Sequence, residues 1–197
     1  MDNSIYNRRS VRKYSDKNVP KEMIEQIIDA GRMAPSAKNR QPWKYIVLGG
    51  ESKKEFLEHI QKGIIREENE CALLPNSKNG IPDAKNTYKI MVNAPILIVI
   101  LNTNCRSPFE EIDTDNRFTE ICDTLSIGAS IENMLLKATD MGLGTLWIAN
   151  TCYAYKELTA YLEVSGQLVG AIALGYAAES PAQRPRKSIE EIAEYRL

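Results

Sequence analysis

The stretch IENMLLKATDMGLGTLWIA, residues 131–149, decides the fold. Its first part continues a helical pattern running from about Phe118 to Asp140, with Ile121, Leu125, Gly128, Ile131, Leu135 and Ala138 inside. Ile127, Met134 and Leu136 lie off that stripe, so the helix is expected to be buried on more than one side. A domain centre or a subunit interface would both produce this pattern. Gly142 and Gly144 then interrupt the helix, and Thr145–Ala149 is a β-prone run. The order is helix, glycines, strand. A dinucleotide-binding fingerprint needs a strand before the glycines and a helix after them. The two glycines therefore read as a helix-to-strand turn. No G-x-x-x-x-G-K-[ST] occurs, which excludes a P-loop nucleotidase.

Outward from this unit, Ala94–Leu101 (APILIVIL) is apolar throughout, as expected of a strand buried on both faces. Lys44–Leu48, closed by Gly49 and Gly50, and Gln167–Tyr176 read as further strands. Pro20–Ala34 reads as a helix, with Met23, Ile24, Ile27, Ile28 and Gly31 at helical spacing, ended by Pro35. Glu51–Lys62 places Phe56, Leu57 and Ile60 on one face, with Gly63 as a candidate cap. Tyr153–Leu162 reads as a short helix and Ile189–Tyr195 as a final helical turn. Residues 64–90, broken by Pro75, Gly80 and Pro82, show no clear period, and 102–117 reads as an acidic loop. Strands and helices do not alternate regularly enough for a doubly wound sheet, so the expected class is α+β. Without a repeat or linker, residues 1–197 are expected to form a single domain.

Composition narrows the chemistry. The 197 residues carry 25 Lys+Arg against 26 Asp+Glu, a formal charge of −1. That balance, with only three Phe, argues against a nucleic-acid partner. The single histidine, His59, excludes zinc sites built on several histidines and an H-E-x-x-H protease, so no metal is expected. His59 sits in a charged surface helix and reads as structural. Cys71, Cys105, Cys122 and Cys152 form no C-x-x-C motif. No apolar signal core stands at the N-terminus and no run is long enough to span a bilayer, so a cytoplasmic protein without a membrane partner is expected.

The charge is unevenly placed. Arg8, Arg9, Arg12 and Lys13 cluster near the N-terminus, and Arg184, Arg186 and Lys187 near the C-terminus. The middle is acidic, from Glu110 to Asp123. Such runs are either solvated faces or, for the two basic knots, ends that converge on one anion. Whether extended or helical, Arg8, Ser10 and Arg12 would offer two guanidinium forks and a hydroxyl to one phosphate. Between Pro35 and Pro42, the segment APSAKNRQPW (34–43) is either a helix-terminating loop with a packing tryptophan or a loop binding a polar ligand.

Taken in order, RRSVRKY, APSAKNRQPW, NAPILIVI, the 131–149 unit, LGY and RPRK resemble the nitroreductase family of FMN-dependent oxidoreductases over nearly the whole chain. The resemblance implies an α+β, nitroreductase-like fold with a central mixed sheet flanked by helices. It also implies an intertwined homodimer with FMN at the subunit interface. Arg8, Arg9 and Ser10 would then hold the FMN phosphate, completed by Arg184, Arg186 and Lys187. Arg12 would lie near the phosphate or toward the N1/C2 end of the flavin, where reduction places negative charge. Pro35, Ser36, Ala37 and Asn39 would reach the cofactor from the partner subunit, with Gln41 and Trp43 ordering that loop. Trp147, Ile148, Ala149 and Asn150 would pass the ring, a backbone N–H near Asn150 meeting N5. The implied reaction passes a hydride from NADH or NADPH through FMN to a nitroaromatic, a quinone or a similar small oxidant. It proceeds in ping-pong order and needs no catalytic side chain. An alternative is a flavin protein for sensing, storage or a specialised biosynthetic oxidation. Glu132 and Asn150 depart from the residues common in relatives, glutamine and glycine respectively.

Overall fold

The computed structural model describes residues 4–69 and 71–197. Among them, four strands form one sheet: β1 (Trp43–Leu48), β2 (Ile96–Asn102), β3 (Gly144–Ile148) and β4 (Gln167–Gly175), in the order β1-β2-β4-β3. Seven α-helices accompany them among the described residues: α1 (Ser4–Asn7), α2 (Lys21–Arg32), α3 (Gly50–Asn69), α4 (Ile81–Asn93), α5 (Thr114–Asp140), α6 (Tyr155–Leu162) and α7 (Ile189–Ile192). The expected α+β class holds. The mixed sheet is corrected: every strand pairing is antiparallel, and parallel pairing is confined to an isolated Ser10–Thr145 bridge. The reason is topological. β2, α5 and β3 form a crossover whose two strands share a heading, but β4 inserts between them and turns one parallel pair into two antiparallel ones.

Both faces of the sheet are covered, which accounts for the uninterrupted apolar run in β2. Leu97, Val99 and Leu101 point to one side with Ala171 and Ala173, against Phe56, Ile60 and Ile64 of α3 and Leu158 of α6. Ile98 and Ile100 point to the other side with Ile172 and Leu174, against Ile24 and Ile27 of α2 and Ile127, Ile131, Met134 and Ala138 of α5. This alternation is the period-2 geometry of a strand.

Three sequence expectations change. Gly63 does not cap a helix; α3 continues to Asn69, and a Cβ at Gly63 would overlap Ala154. Residues 64–90 hold the rest of α3, a 3₁₀ stretch at Pro75–Gly80, and most of α4, in whose first turn Pro82 is tolerated. α5 begins at Thr114, because the Asp113 carboxylate accepts the Asn116 N–H at 2.8 Å as an N-cap. Its first turns direct Glu120 and Asp123 inward to Gln167, Arg40 and Asn104, so Ile121 and Leu125, expected inside, face outward in the protomer. The end of α5 behaves as read. Leu143 N–H donates to the Ala138 carbonyl and Gly142 N–H to that of Thr139, at 2.8 and 3.0 Å, with Gly142 at φ +75°. These are the paired bonds of a Schellman turn, which favours glycine at that position.

An ion-pair cluster fixes the course from α3 into α4. Arg66 pairs with Glu67 and Glu157, both at 2.6 Å, and the buried Glu67 accepts the N–H groups of Leu73 and Leu74 at 2.8 and 3.1 Å. Burial alone would push the Glu67 carboxyl up, but Arg66 and the two N–H donors outweigh it and hold it below the usual carboxylate range. Glu157 is lowered against the same burial effect by Arg66 and backbone donors. A depressed folded pKa adds stability that is fully present above the unfolded value, about 4.3, and is lost as pH falls through the folded value. Thermal scans from pH 7 to pH 3 should show the Tm dropping below about pH 4.5. Glu67→Gln should flatten that drop.

His59 stacks on Tyr161 with ring centroids 4.7 Å apart, its Nδ1 lying 2.8 Å from the Glu55 carbonyl. It serves the packing of α3 on α6, as the sequence suggested. The four cysteines are free thiols, and no described helix is long and apolar enough to cross a membrane.

Candidate functional site

The N-terminal segment lies along the free edge of β3. Val11 N–H donates to the Thr145 carbonyl at 2.9 Å beside the Ser10–Thr145 bridge. Gly144 permits this approach, since a Cβ there would stand 2.8–2.9 Å from three Val11 side-chain atoms. Farther on, Tyr14 bridges Ala177, Ser15 N–H donates to the Tyr176 carbonyl and Ala178 N–H to that of Lys13, both at 2.9 Å. The Tyr14 hydroxyl donates to the Val11 carbonyl at 2.8 Å, and burial, with a smaller contribution from the nearby Glu179 charge, pushes its phenol well up.

This pinning brings the two chain ends together. A small cleft of about 80 Å³ is lined by Arg8, Arg9, Ser10 and Arg12 from one end and by Pro181, Ala182, Gln183, Arg184 and Arg186 from the other. Five arginines and no acidic residue line it. Arg8 is largely buried, its Nε 3.3 Å from a Glu132 oxygen but without a hydrogen-bond partner. The anion this nitrogen faces is the Glu132 carboxylate. Glu132 thus has a specific role here: it is the counter-charge of Arg8. The pair is partly exposed, so it contributes little to stability. Replacing Glu132 by glutamine removes a negative charge from behind the cleft. That change should tighten phosphate binding about two- to fivefold in equilibrium titration with inorganic phosphate.

Arg12 also lines a second, larger cleft of about 240 Å³. One wall is the end of β3 with the turn beyond it: Leu146, Trp147, Ile148, Ala149 and Asn150. The other is a face of α4, with Asp83, Asn86, Thr87 and Ile90. Asn150 joins the walls, its Nδ2 donating to Asp83 Oδ2 at 3.1 Å and to Thr87 Oγ1 at 2.9 Å. Trp147 remains 43% exposed, an aromatic face open to solvent in the protomer. Arg12 lines both clefts.

Of the residues singled out from sequence, Arg8, Arg9, Ser10, Arg12, Arg184 and Arg186 share the small cleft, and Trp147–Asn150 the larger one. Lys187 is exposed and lines neither. Pro35, Ser36, Ala37 and Asn39 also line neither within this protomer. Their loop is docked on α5 through Arg40–Asp123 at 2.7 Å and Ala37 N–H to Ser126 Oγ at 3.3 Å. Gln41 N–H donates to Ser36 Oγ at 3.0 Å, and Lys38, Asn39 and Gln41 all adopt positive φ, so this loop is tightly shaped. Sequence reasoning missed Asp83, Asn86 and Thr87. Their spacing of three and four residues on one face of α4 was the available signal, hidden because the helix itself was not legible.

An α+β protein with an arginine-lined cleft and, sharing Arg12 with it, a second cleft at the end of an edge strand is the class that fold and site define. The chain belongs to the nitroreductase family, whose sequence pattern matches residues 5–176. A Methanothermobacter thermautotrophicus protein, whose name proposes an NADH dehydrogenase/NAD(P)H nitroreductase, is 28% identical over 92% of this chain and 79% of its own. Among solved structures, a BluB-like flavoprotein from Clostridium difficile 630 is 27% identical, with TM-score 0.77 over 100% of this chain and 98% of its own. The FMN-dependent nitroreductase NfnB from Mycobacterium smegmatis, solved in complex with NADPH, matches with TM-score 0.76 at 18% identity, over 100% and 97% of the two chains. That last likeness concerns the fold alone.

Proposed function

We propose that residues 1–197 form a single FMN-binding domain of an NAD(P)H-dependent oxidoreductase acting on a nitroaromatic, a quinone or a similar small oxidant. The observation that carries this reading is Arg12, which lines both the five-arginine cleft and the cleft at the end of β3. A phosphate dianion fits the first by charge, since five arginines and no acidic residue line it. The polar side chains of Asn86, Thr87 and Asn150 fit the heteroatoms of a flavin pyrimidine in the second. Bound there, FMN supplies hydride uptake from NADH or NADPH and hydride delivery to the oxidant.

The chain's own residues then have defined tasks. Arg8, Arg9, Ser10, Arg184, Arg186 and Lys187 hold the phosphate, while Arg12 compensates negative charge toward the ring. Trp147, Ile148, Ala149 and Asn150 form the wall along the ring. Pro35, Ser36, Ala37 and Asn39 of the partner subunit close the site in a homodimer. The dimer reading draws on Phe118, Ile121 and Leu125, which present an apolar stripe along α5, exposed at 64%, 47% and 70%. The partners are thus a second copy and a small oxidant, in the cytoplasm, with no nucleic acid, membrane or metal required.

Anaerobic mixing of the FMN-loaded protein with NADH and with NADPH tests the function. Rapid bleaching with either, then recovery of colour on adding a nitroaromatic or a quinone, is the expected result. No bleaching with either would favour the second reading, a flavin protein for sensing, storage or a specialised biosynthetic oxidation with little NAD(P)H turnover.

A further inference from the structure

We propose that Glu179 is a positioning residue that sets the geometry of the phosphate cleft without lining it. Its Oε1 accepts two consecutive backbone N–H groups, from Arg12 at 2.5 Å and from Lys13 at 3.2 Å. These are the residues at which the N-terminal segment passes from the cleft into its pairing with residues 176–178. On the C-terminal side, the ladder of Tyr14–Ala177, Ser15–Tyr176 and Ala178–Lys13 ends at Ala178. Glu179 is the next residue and makes the last bond between the two segments before Pro181, Ala182 and Gln183 enter the cleft wall. Beyond it, Arg184 and Arg186 are exposed, and Arg186 Nη1 bonds only local carbonyls, those of Arg184 and Pro185. The distance between the two basic knots is therefore governed by the Glu179 clamp.

The choice of a carboxylate has a cost and a reason. A negative charge close to a five-arginine cleft opposes a bound dianion. A charged acceptor nevertheless holds two N–H groups about twice as strongly as a neutral one, which suits a half-buried position that water still reaches. One side chain thus exerts two effects of opposite sign. Losing the acceptor lets the arginine-bearing tail drift, whereas losing only the charge leaves the clamp and relieves the repulsion.

The inference rests on the FMN reading above and is separable from it by comparing FMN with riboflavin, which lacks the phosphate. The experiment titrates the flavin-free 197-residue chain with each ligand, monitoring flavin fluorescence, for wild type, Glu179→Ala and Glu179→Gln. Glu179→Ala should lose roughly ten- to thirtyfold in FMN affinity and stay within about twofold for riboflavin. Glu179→Gln, which keeps the oxygen acceptor, should restore FMN affinity to wild type or above. Hydrogen exchange at the Arg12 and Lys13 amides should speed up in Glu179→Ala alone. If Glu179→Ala leaves the FMN-to-riboflavin ratio unchanged, or glutamine fails as alanine does, the positioning role is overturned. A wild-type protein that binds neither flavin, yet shows the amide changes and the same order of variants with inorganic phosphate, would support the clamp while contradicting the FMN reading.

Discussion

Alanine at Gly63 is expected to destabilise the protein by about 2–3 kcal/mol, although the same exchange in an open helix would stabilise it by about 1 kcal/mol. The sign reverses because of a neighbour. Gly63 lies in the middle of α3, where a methyl group would meet the Cα and Cβ of Ala154, with a Glu157 oxygen 2.9 Å away. The Ala154 contact is backbone, so relief requires moving α3 away from the 3₁₀ turn at Asn150–Ala154 that succeeds β3. Such a shift would disturb Arg66–Glu157 and the turn bearing Asn150, coupling a core packing position to the larger cleft. In a chain of this size, the expected loss corresponds to a Tm roughly 5–10 °C lower, measurable by calorimetry. A Tm equal to or above wild type would show that α3 and the turn are not in this contact.

The second large effect concerns charge. Replacing both Arg8 and Arg186 by alanine should weaken FMN binding roughly a hundredfold and leave riboflavin binding within about threefold. Each guanidinium lost from a phosphate removes a charge-assisted bond typically worth about 1.5–3 kcal/mol, and the exposed Arg186 is expected at the low end. The two residues come from opposite ends of the sequence and meet in one cleft, so their effects should be coupled in a double-mutant cycle. Equal losses for both flavins would place the phosphate elsewhere.

How much of this was legible depended on how local the determining interactions are. The helix from about Phe118, the glycine turn and the strand after it could be read because their signals are local: periodic apolar residues, two glycines, and a β-prone run. The two-faced burial of β2 was equally plain, since every position in it up to Leu101 is apolar. α4 was not legible, because Pro75, Gly80 and Pro82 break the stretch leading into it, and the buried Glu67 that holds the chain between α3 and the 3₁₀ stretch leaves no sequence period. With α4 went Asp83, Asn86 and Thr87, and with them half of the larger cleft. Convergence of the basic ends was posed by the sequence only as one of two options. What decides it is non-local: the room left by Gly144 for Val11, and bonds spanning more than 160 residues from Glu179 to Arg12 and Lys13. The antiparallel sheet was missed for a similar reason, since insertion of β4 between β2 and β3 is a long-range choice.

The central claim is that these two clefts together hold one FMN per chain. Its most direct test is the visible spectrum of the purified protein after incubation with excess FMN and removal of unbound ligand. Retained flavin absorbance at about one equivalent per chain is the predicted result. A colourless protein that retains no flavin would contradict it.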